Sequence, residues 1–224
     1  MTEKEVTAEI LSPFGPRMLK TKLPTDLIAR MNKHCDSIIY RKELDASDQL
    51  VGHVEQELRC EIGKVAKLGE ILFEATNGLY TNFMRQSLQD FQPPNQVEIH
   101  NAWFVRSFAT NYNPVHVHTS GQFSCVLYLK IPSTIGSKNW KFSEEKYASE
   151  GWTDFLFGST NLCSVGSFRV QPKVGDLYIF PAYLSHCAYP FFGEGERRSF
   201  SANLSLHTVE NPVNDSKNEP SGPA

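Results

Sequence analysis

The sequence has no run of apolar residues long enough to cross a bilayer as a helix, which argues against a helical membrane span. It has no CxxC pair. Its five cysteines, Cys35, Cys60, Cys125, Cys163 and Cys187, are scattered and odd in number, which speaks against a disulfide framework and for reduced thiols inside a cell. The opening segment MTEKEVTAEI is charged and lacks the apolar centre of a signal peptide, so the expected location is cytoplasmic. Neither sign of charge dominates. The 22 Lys and Arg stand against 25 Asp and Glu, a net charge of −3, and such a chain has no global field to draw nucleic acid or an acidic membrane. Histidine is scarce, at seven in 224 residues, so its placement carries information.

What remains is an ordinary globular composition, 40% apolar and 21% charged. Residues 6–22 read as two short extended segments broken by Pro13, Gly15 and Pro16. In LPTDLIARMNKHCDSIIY, residues Leu27, Ile28, Met31, Cys35, Ile38 and Ile39 recur at helical spacing, with Thr25 as the N-cap. A second helix is predicted from about Lys64 to Gln89, with Val65, Leu68, Leu72, Ala75, Leu79 and Phe83 as its buried stripe. Residues 41–60 give no clear pattern, and Gly52 weakens a helix there. After FQPPNQ the pattern changes to short β-branched and aromatic runs: VEIHNAWFVRSF, FSCVLYLKI, SFRVQP, DLYIFPAY and RRSFSANLSLH. Helices first and strands later predict an α+β fold, with helices on one face of an antiparallel sandwich or barrel. Residues 132–165 form a long link between strands, a length uncommon outside functional loops. The polar, Pro-rich end, 208–224, is expected to be a flexible tail.

The chemistry gathers in three places. In NPVHVHTSGQFSCVLYL, His116 and His118 sit two apart; on a strand they face one way and Val117 the other. Two imidazoles so placed can reach one metal ion, and neutral imidazole suits Fe, Zn, Cu and Ni. The plainer reading is a pair of histidines on a solvent-facing strand. In PKVGDLYIFPAYLSHCAYPF, a Gly175-Asp176 turn leads into an apolar strand and then to His186. By itself this is a packed histidine; with the pair it completes three nitrogen ligands that leave coordination positions open. In ERRSFSANLSLH, one side carries Arg197, Ser199, Ser201, Asn203, Ser205 and His207, and the other Arg198, Phe200, Ala202, Leu204 and Leu206. That is either a half-buried strand with a wet face or the polar interior of a barrel, where a guanidinium grips a carboxylate and Ser adds a hydroxyl.

These ordered motifs resemble the 2-oxoglutarate- and Fe(II)-dependent oxygenase superfamily, in particular small microbial and phage members with a prolyl-hydroxylase-like core. The resemblance covers residues 97–206 best. It implies a double-stranded β-helix (jelly roll) with N-terminal helices packed on one sheet: a domain over 1–207, with helical support over about 24–90 and the jelly-roll core over about 97–207. It implies His116 as the first iron ligand and His186 as the distal one. Arg197 and Ser199, in an RxS arrangement, would hold the far carboxylate of 2-oxoglutarate, and Tyr128 matches a tyrosine that helps bind it. Fe(II) is the implied cofactor, with 2-oxoglutarate and O2 as cosubstrates. A phage gene would place the protein in the host cytoplasm.

The departure from the family pattern is at position 118. The usual motif is His-x-Asp or His-x-Glu, and no acid lies between Ser107 and Lys138. Either His118 is the third ligand, or water or another anion takes that position. Asp176, in the Gly-Asp turn, is read as structural. The family chemistry implies oxidation of a prime substrate, a small molecule or a peptide, with Trp103, Phe123, Phe180 and Tyr183 shaping the pocket and Trp140 and Trp152 reaching it from the link. Two alternatives stand beside it: an oxygenase with three histidine ligands that does not use 2-oxoglutarate, and a non-catalytic jelly-roll binding module. The sequence does not reveal the oligomeric state.

Overall fold

The computed structural model describes residues 8–11, 15–47, 51–87, 91–135, 149–162 and 164–209. Pro13, Trp140, Cys163, the central part of the 132–165 link and the tail from residue 210 lie outside them. The elements run β1 (Ala8–Leu11), β2 (Met18–Lys22), α1 (Thr25–Ile38), β3 (Gln56–Arg59), α2 (Leu68–Ser87), β4 (Gln96–Ser107), β5 (Asn113–His116), β6 (Phe123–Lys130), β7 (Thr153–Leu156), β8 (Ser167–Val170), β9 (Asp176–Pro181), β10 (Ser185–Ala188) and β11 (Arg197–His207).

The strands make two antiparallel sheets. The larger has the order β1-β2-β9-β6-β11-β4-β3, and the smaller β5-β10-β7-β8. Both helices lie on the outer face of the large sheet. Leu27, Ile28, Met31, Cys35 and Ile38 of α1 and Leu68, Leu72 and Leu79 of α2 share a core with Leu58, Phe104, Leu127, Ile179, Phe200 and Leu204. The inner face meets the small sheet through a second core of Met18, Tyr128, Phe155, Val170, Tyr178, Phe180 and Leu184. The fold is α+β, a double-stranded β-helix with helices packed on one sheet.

A strand covered on both sides has no wet face, and β11 is such a strand. Of its eleven residues nine are buried, Ser201 is half-buried, and only His207 is exposed. Phe200, Ala202 and Leu204 face the helices; the alternate residues Arg197, Ser199, Ser201 and Asn203 face the space between the sheets. Arg198, on the helical side, is 1% exposed. It is paired with Glu196 at 2.8 Å and with Asp36 of α1 at 2.7 Å, and its guanidinium donates to Asn32 Oδ1. Burial of that charge is tolerable because it is paired, and the pairing ties α1 to the sheet.

Local chemistry moves several boundaries from their expected places. Thr25 is the first helical residue rather than the N-cap; Pro24, in extended conformation, takes the cap position, and its carbonyl accepts the first turn's bond from Ile28 N–H. The second helix starts at Leu68 rather than Lys64 because Lys67 adopts φ +67°, a left-handed conformation that interrupts a right-handed helix. Phe83 does not join the buried stripe: it is 47% exposed, and the Arg17 guanidinium lies 5.6 Å from its ring centroid. Residues 41–60 contain a short 3-10 turn at Lys42–Leu44 and β3, an edge strand of the large sheet. The 132–165 link is no simple loop, since β7 falls within it. Asp176 is 4% exposed and ion-paired to Lys20 and Lys22, a structural role.

No helix among the described residues is long and apolar enough to cross a membrane. Cys35, Cys60, Cys125 and Cys187 are free and buried.

Phe200 is fully buried and meets Phe104 edge to face at 5.8 Å. Phe200→Ala is expected to cost about 3–5 kcal/mol of stability, measured by urea unfolding, because the cavity it leaves cannot fully collapse.

Candidate functional site

Three imidazoles converge between the sheets. The pairing of β10 with β5 sets His186 opposite His116, with ring centroids 4.3 Å apart. His118 lies two residues past the end of β5, so it is a loop residue rather than a strand neighbour of His116. Its position comes from other bonds. The His118 N–H donates to Ala182 O, and the Ala182 N–H donates to Gln122 O. Gly121 lets this loop lie against β11: it has φ +89°, and a Cβ there would stand 2.7 Å from Leu204 O. The His118 ring packs on Trp103 at 5.7 Å and reaches His186, with Nε2 atoms 3.2 Å apart.

The cluster suits a metal in its donor set. Nitrogens of His116, His118 and His186 all lie within 4.8 Å of one another. His116 Nδ1 is 2.8 Å from Pro114 O and His186 Nδ1 is 2.9 Å from Leu184 O. Each backbone carbonyl accepts the Nδ1 proton, which leaves the Nε2 lone pair free toward the cluster. Burial, aided by the neighbouring His116, pushes His118 down to about 4 and His186 down to about 3, so both rings are neutral at physiological pH, the form a metal requires. These residues fit a divalent transition-metal ion.

The cavity they line has a volume of about 690 Å³ and also includes Trp103, Thr153, Phe180, Arg197, Ser199 and Glu57. Arg197 is 4% exposed, and its Nε has no hydrogen-bond partner. Its Nη2 donates to Thr153 Oγ1 at 3.3 Å, and its guanidinium stands 5.4 Å from the Tyr128 ring centroid. Among the described residues it has no carboxylate partner, and burial lowers its pKa. A buried guanidinium so placed calls for an anion. Tyr128, fully buried, donates from its hydroxyl to Thr153 Oγ1 at 2.8 Å; burial raises its pKa, so it remains a neutral donor. Ser199 lies opposite Tyr128 in the β11–β6 register.

The other aromatic expectations divide. Trp103 and Phe180 line the cavity. Phe123 packs against the helix-side core, and Tyr183 is 61% exposed. Trp152 is not among the lining residues; its backbone joins β7 to Tyr189. Thr153 and Glu57 are among the cavity residues that escaped the sequence reading. Thr153 belongs to β7, hidden in the link. Glu57 belongs to β3 and is 1% exposed, with Oε2 unpartnered. QELR has one apolar residue in four and no alternation, so nothing marks it as a strand among charged neighbours.

Burial, and then the nearby Asp45, raise Glu57 from 4.5 to about 8. The folded chain therefore holds this proton across a window in which the unfolded chain has lost it, so stability falls as pH rises through that window. Glu57→Gln removes the effect. The variant's advantage in urea midpoint over wild type is expected to grow between about pH 5 and pH 8 and to level off above, with the histidine contributions common to both proteins.

Residues 101–203 match the family described as "Putative 2OG-Fe(II) oxygenase". A comparison with curated proteins finds no match. Similar solved structures include a Pseudomonas putida prolyl-4-hydroxylase, 18% identical, covering 83% of this chain and 90% of that one with a TM-score of 0.54. The carbocyclase SnoK of nogalamycin biosynthesis, described as non-heme and α-ketoglutarate-dependent, is 10% identical over 84% of this chain and 79% of its own, with a TM-score of 0.55. An oxidoreductase of the 2OG-Fe(II) oxygenase family from Burkholderia pseudomallei is 12% identical over 90% and 85%, with a TM-score of 0.51. At these identities the likeness is one of fold. The matched segment holds all three histidines, Tyr128, Arg197 and Ser199, and identifies a 2OG-Fe(II) oxygenase domain within the chain.

Proposed function

We propose that His116, His118 and His186 hold Fe(II), that Arg197 with Tyr128 and Ser199 binds the far carboxylate of 2-oxoglutarate, and that the protein is a hydroxylase of a small molecule or peptide. The observation that carries this reading is the buried guanidinium of Arg197, without a carboxylate partner among the described residues, opening into the same cavity as three converging imidazoles. A dicarboxylic acid that chelates a metal at one end and meets an arginine at the other has the chemistry for both groups. Iron with 2-oxoglutarate and O2 supplies the oxidising power, releasing succinate and CO2 as the substrate is oxidised.

The chain's own part is positioning. The Nδ1 bonds of His116 and His186 fix tautomer and ring plane. Thr153 accepts from both Tyr128 and Arg197, so the hydroxyl and the guanidinium are held in one arrangement before any anion arrives. Phe155 and Phe180 flank His186, with ring centroids 6.0 Å and 4.9 Å away, and keep water from that side of the cluster. The relatives in fold include a prolyl-4-hydroxylase and a carbocyclase, and a shared fold leaves the substrate open.

The set of neutral ligands also suits a three-histidine oxygenase that ignores 2-oxoglutarate, but such an enzyme leaves Arg197 without a task. Anaerobic protein loaded with Fe(II) is expected to develop a visible charge-transfer band when 2-oxoglutarate is added. Iron binding without the band favours the three-histidine enzyme. Binding of iron and cosubstrate without succinate formation with any substrate favours the non-catalytic module. His186→Ala is expected to lose both Fe(II) binding and the band.

Arg197→Ala is expected to leave Fe(II) binding near wild type and to weaken 2-oxoglutarate by about 10- to 100-fold, from the roughly 1.5–3 kcal/mol of a hydrogen bond to a charged group. Calorimetric titration of the iron-loaded proteins measures it; an unchanged affinity removes Arg197 from the site.

A further inference from the structure

Glu57 is a buried acid that the proposed reaction does not use. It lies on the inner face of the large sheet in a cross-strand row that can be read from the register: Glu57 opposite Val105, Val105 opposite Ser199, Ser199 opposite Tyr128. With strands about 4.8 Å apart, Glu57 stands roughly 10 Å from β11 and roughly 14 Å from Tyr128 along the sheet. The cavity therefore has two polar ends. Arg197, Tyr128 and Thr153 form one, and Glu57 the other.

At the Glu57 end the carboxyl is 1% exposed, and Oε2 meets no donor. Among the described residues Asp45, another acid, is the one charged group that acts appreciably on it. Arg59, an exposed residue, also lines the cavity, and it is not among the charges that act on Glu57. Two acids close together, one of them buried and unpartnered, make a local field that favours positive charge. A carbonyl ligand would accept the one acid proton and leave the second oxygen unanswered. A cationic nitrogen answers both oxygens of the ionised carboxylate.

We propose that Glu57 is the specificity-determining contact for the prime substrate and that it takes a cationic nitrogen, an amine or a guanidinium. The assignment of this ligand as substrate rests on the oxygenase reading above; the binding itself needs neither iron nor 2-oxoglutarate, so the two can fail separately.

The test is calorimetric titration of the full chain, without metal or cosubstrate, with butylguanidinium and with its neutral isostere N-butylurea. It is run near pH 7 in phosphate and in Tris, whose different ionisation enthalpies report proton transfer. Wild type is expected to bind the cation at least about tenfold more tightly than the urea. It is also expected to release close to one proton per cation bound, because the protonated acid must ionise to form the pair. Near-isosteric Glu57→Gln, its fold checked by its urea midpoint, is expected to lose both the preference and the proton release. The proposal is overturned if the urea binds as tightly as the cation, if cation binding releases no proton, if Glu57→Gln keeps the preference, or if neither probe binds saturably.

Discussion

Everything at the site depends on the antiparallel pairing of β10 with its two neighbours. Against β5 it sets His186 opposite His116; against β7 it sets His186 opposite Phe155 and brings Thr153 to the far end of the same strand pair. A strand register has a period of two, so a slip of one residue would turn His186 away from the cavity and send Cys187 into its place. The pairing is backed by burial on both sides of the sheet and by the Asp154–Arg169–Tyr189 cluster, in which the buried Asp154 carboxylate accepts from Arg169 at 2.8 Å and from Tyr189 at 2.8 Å. Those bonds hold Asp154 below its usual range against the cost of burying it. They lock β7 to β8 and to the segment after β10 without any part in the chemistry.

The large sheet solves a different problem. It must offer an apolar face to α1 and α2 and a polar face to the cavity, and β11 does so by alternation along one strand. Both arginines of the Arg197–Arg198 pair are buried, and their fates differ by face. Arg198 finds Glu196 and Asp36 and becomes a structural clamp. Arg197, a residue away and on the other face, finds a threonine hydroxyl and an aromatic ring but, among the described residues, no carboxylate. Since an unpaired buried charge is costly, that difference between adjacent residues is the physical ground for proposing that Arg197 takes an anion.

How much of this could be read in the sequence follows from the length of each pattern. The eleven residues of β11 give their alternation unmistakably, and the helical stripes of α1 and α2 are long enough to find. The pattern of three histidines pointed to one place, though His118 arrives there by loop hydrogen bonds to Ala182 rather than by strand alternation. Strands of four residues carry too little periodicity: β3, β7 and β10 each depend on partners remote in sequence, and Glu57 and Thr153 were missed with them. Lys67 is a single backbone conformation that no side-chain pattern announces. Phe83 fits the apolar stripe of α2 but lies 47% exposed, where it meets Arg17 instead of a core.

The missing acid at position 118 has a consequence for the whole cavity. Three neutral imidazoles leave a bound divalent ion more positive by about one charge than a set with one carboxylate would. With Arg197 at one end, the metal position and that end both attract anions, while Glu57, neutral when protonated, offers an anion no such attraction. A dicarboxylate has only one favourable direction in such a field: along the Arg197 side, away from β3. On the proposed reading, the remaining space beside Glu57 is left to the prime substrate. If Glu57 takes a cation as proposed, it ionises as the cation binds, and the two ends then sort cosubstrate from substrate by sign.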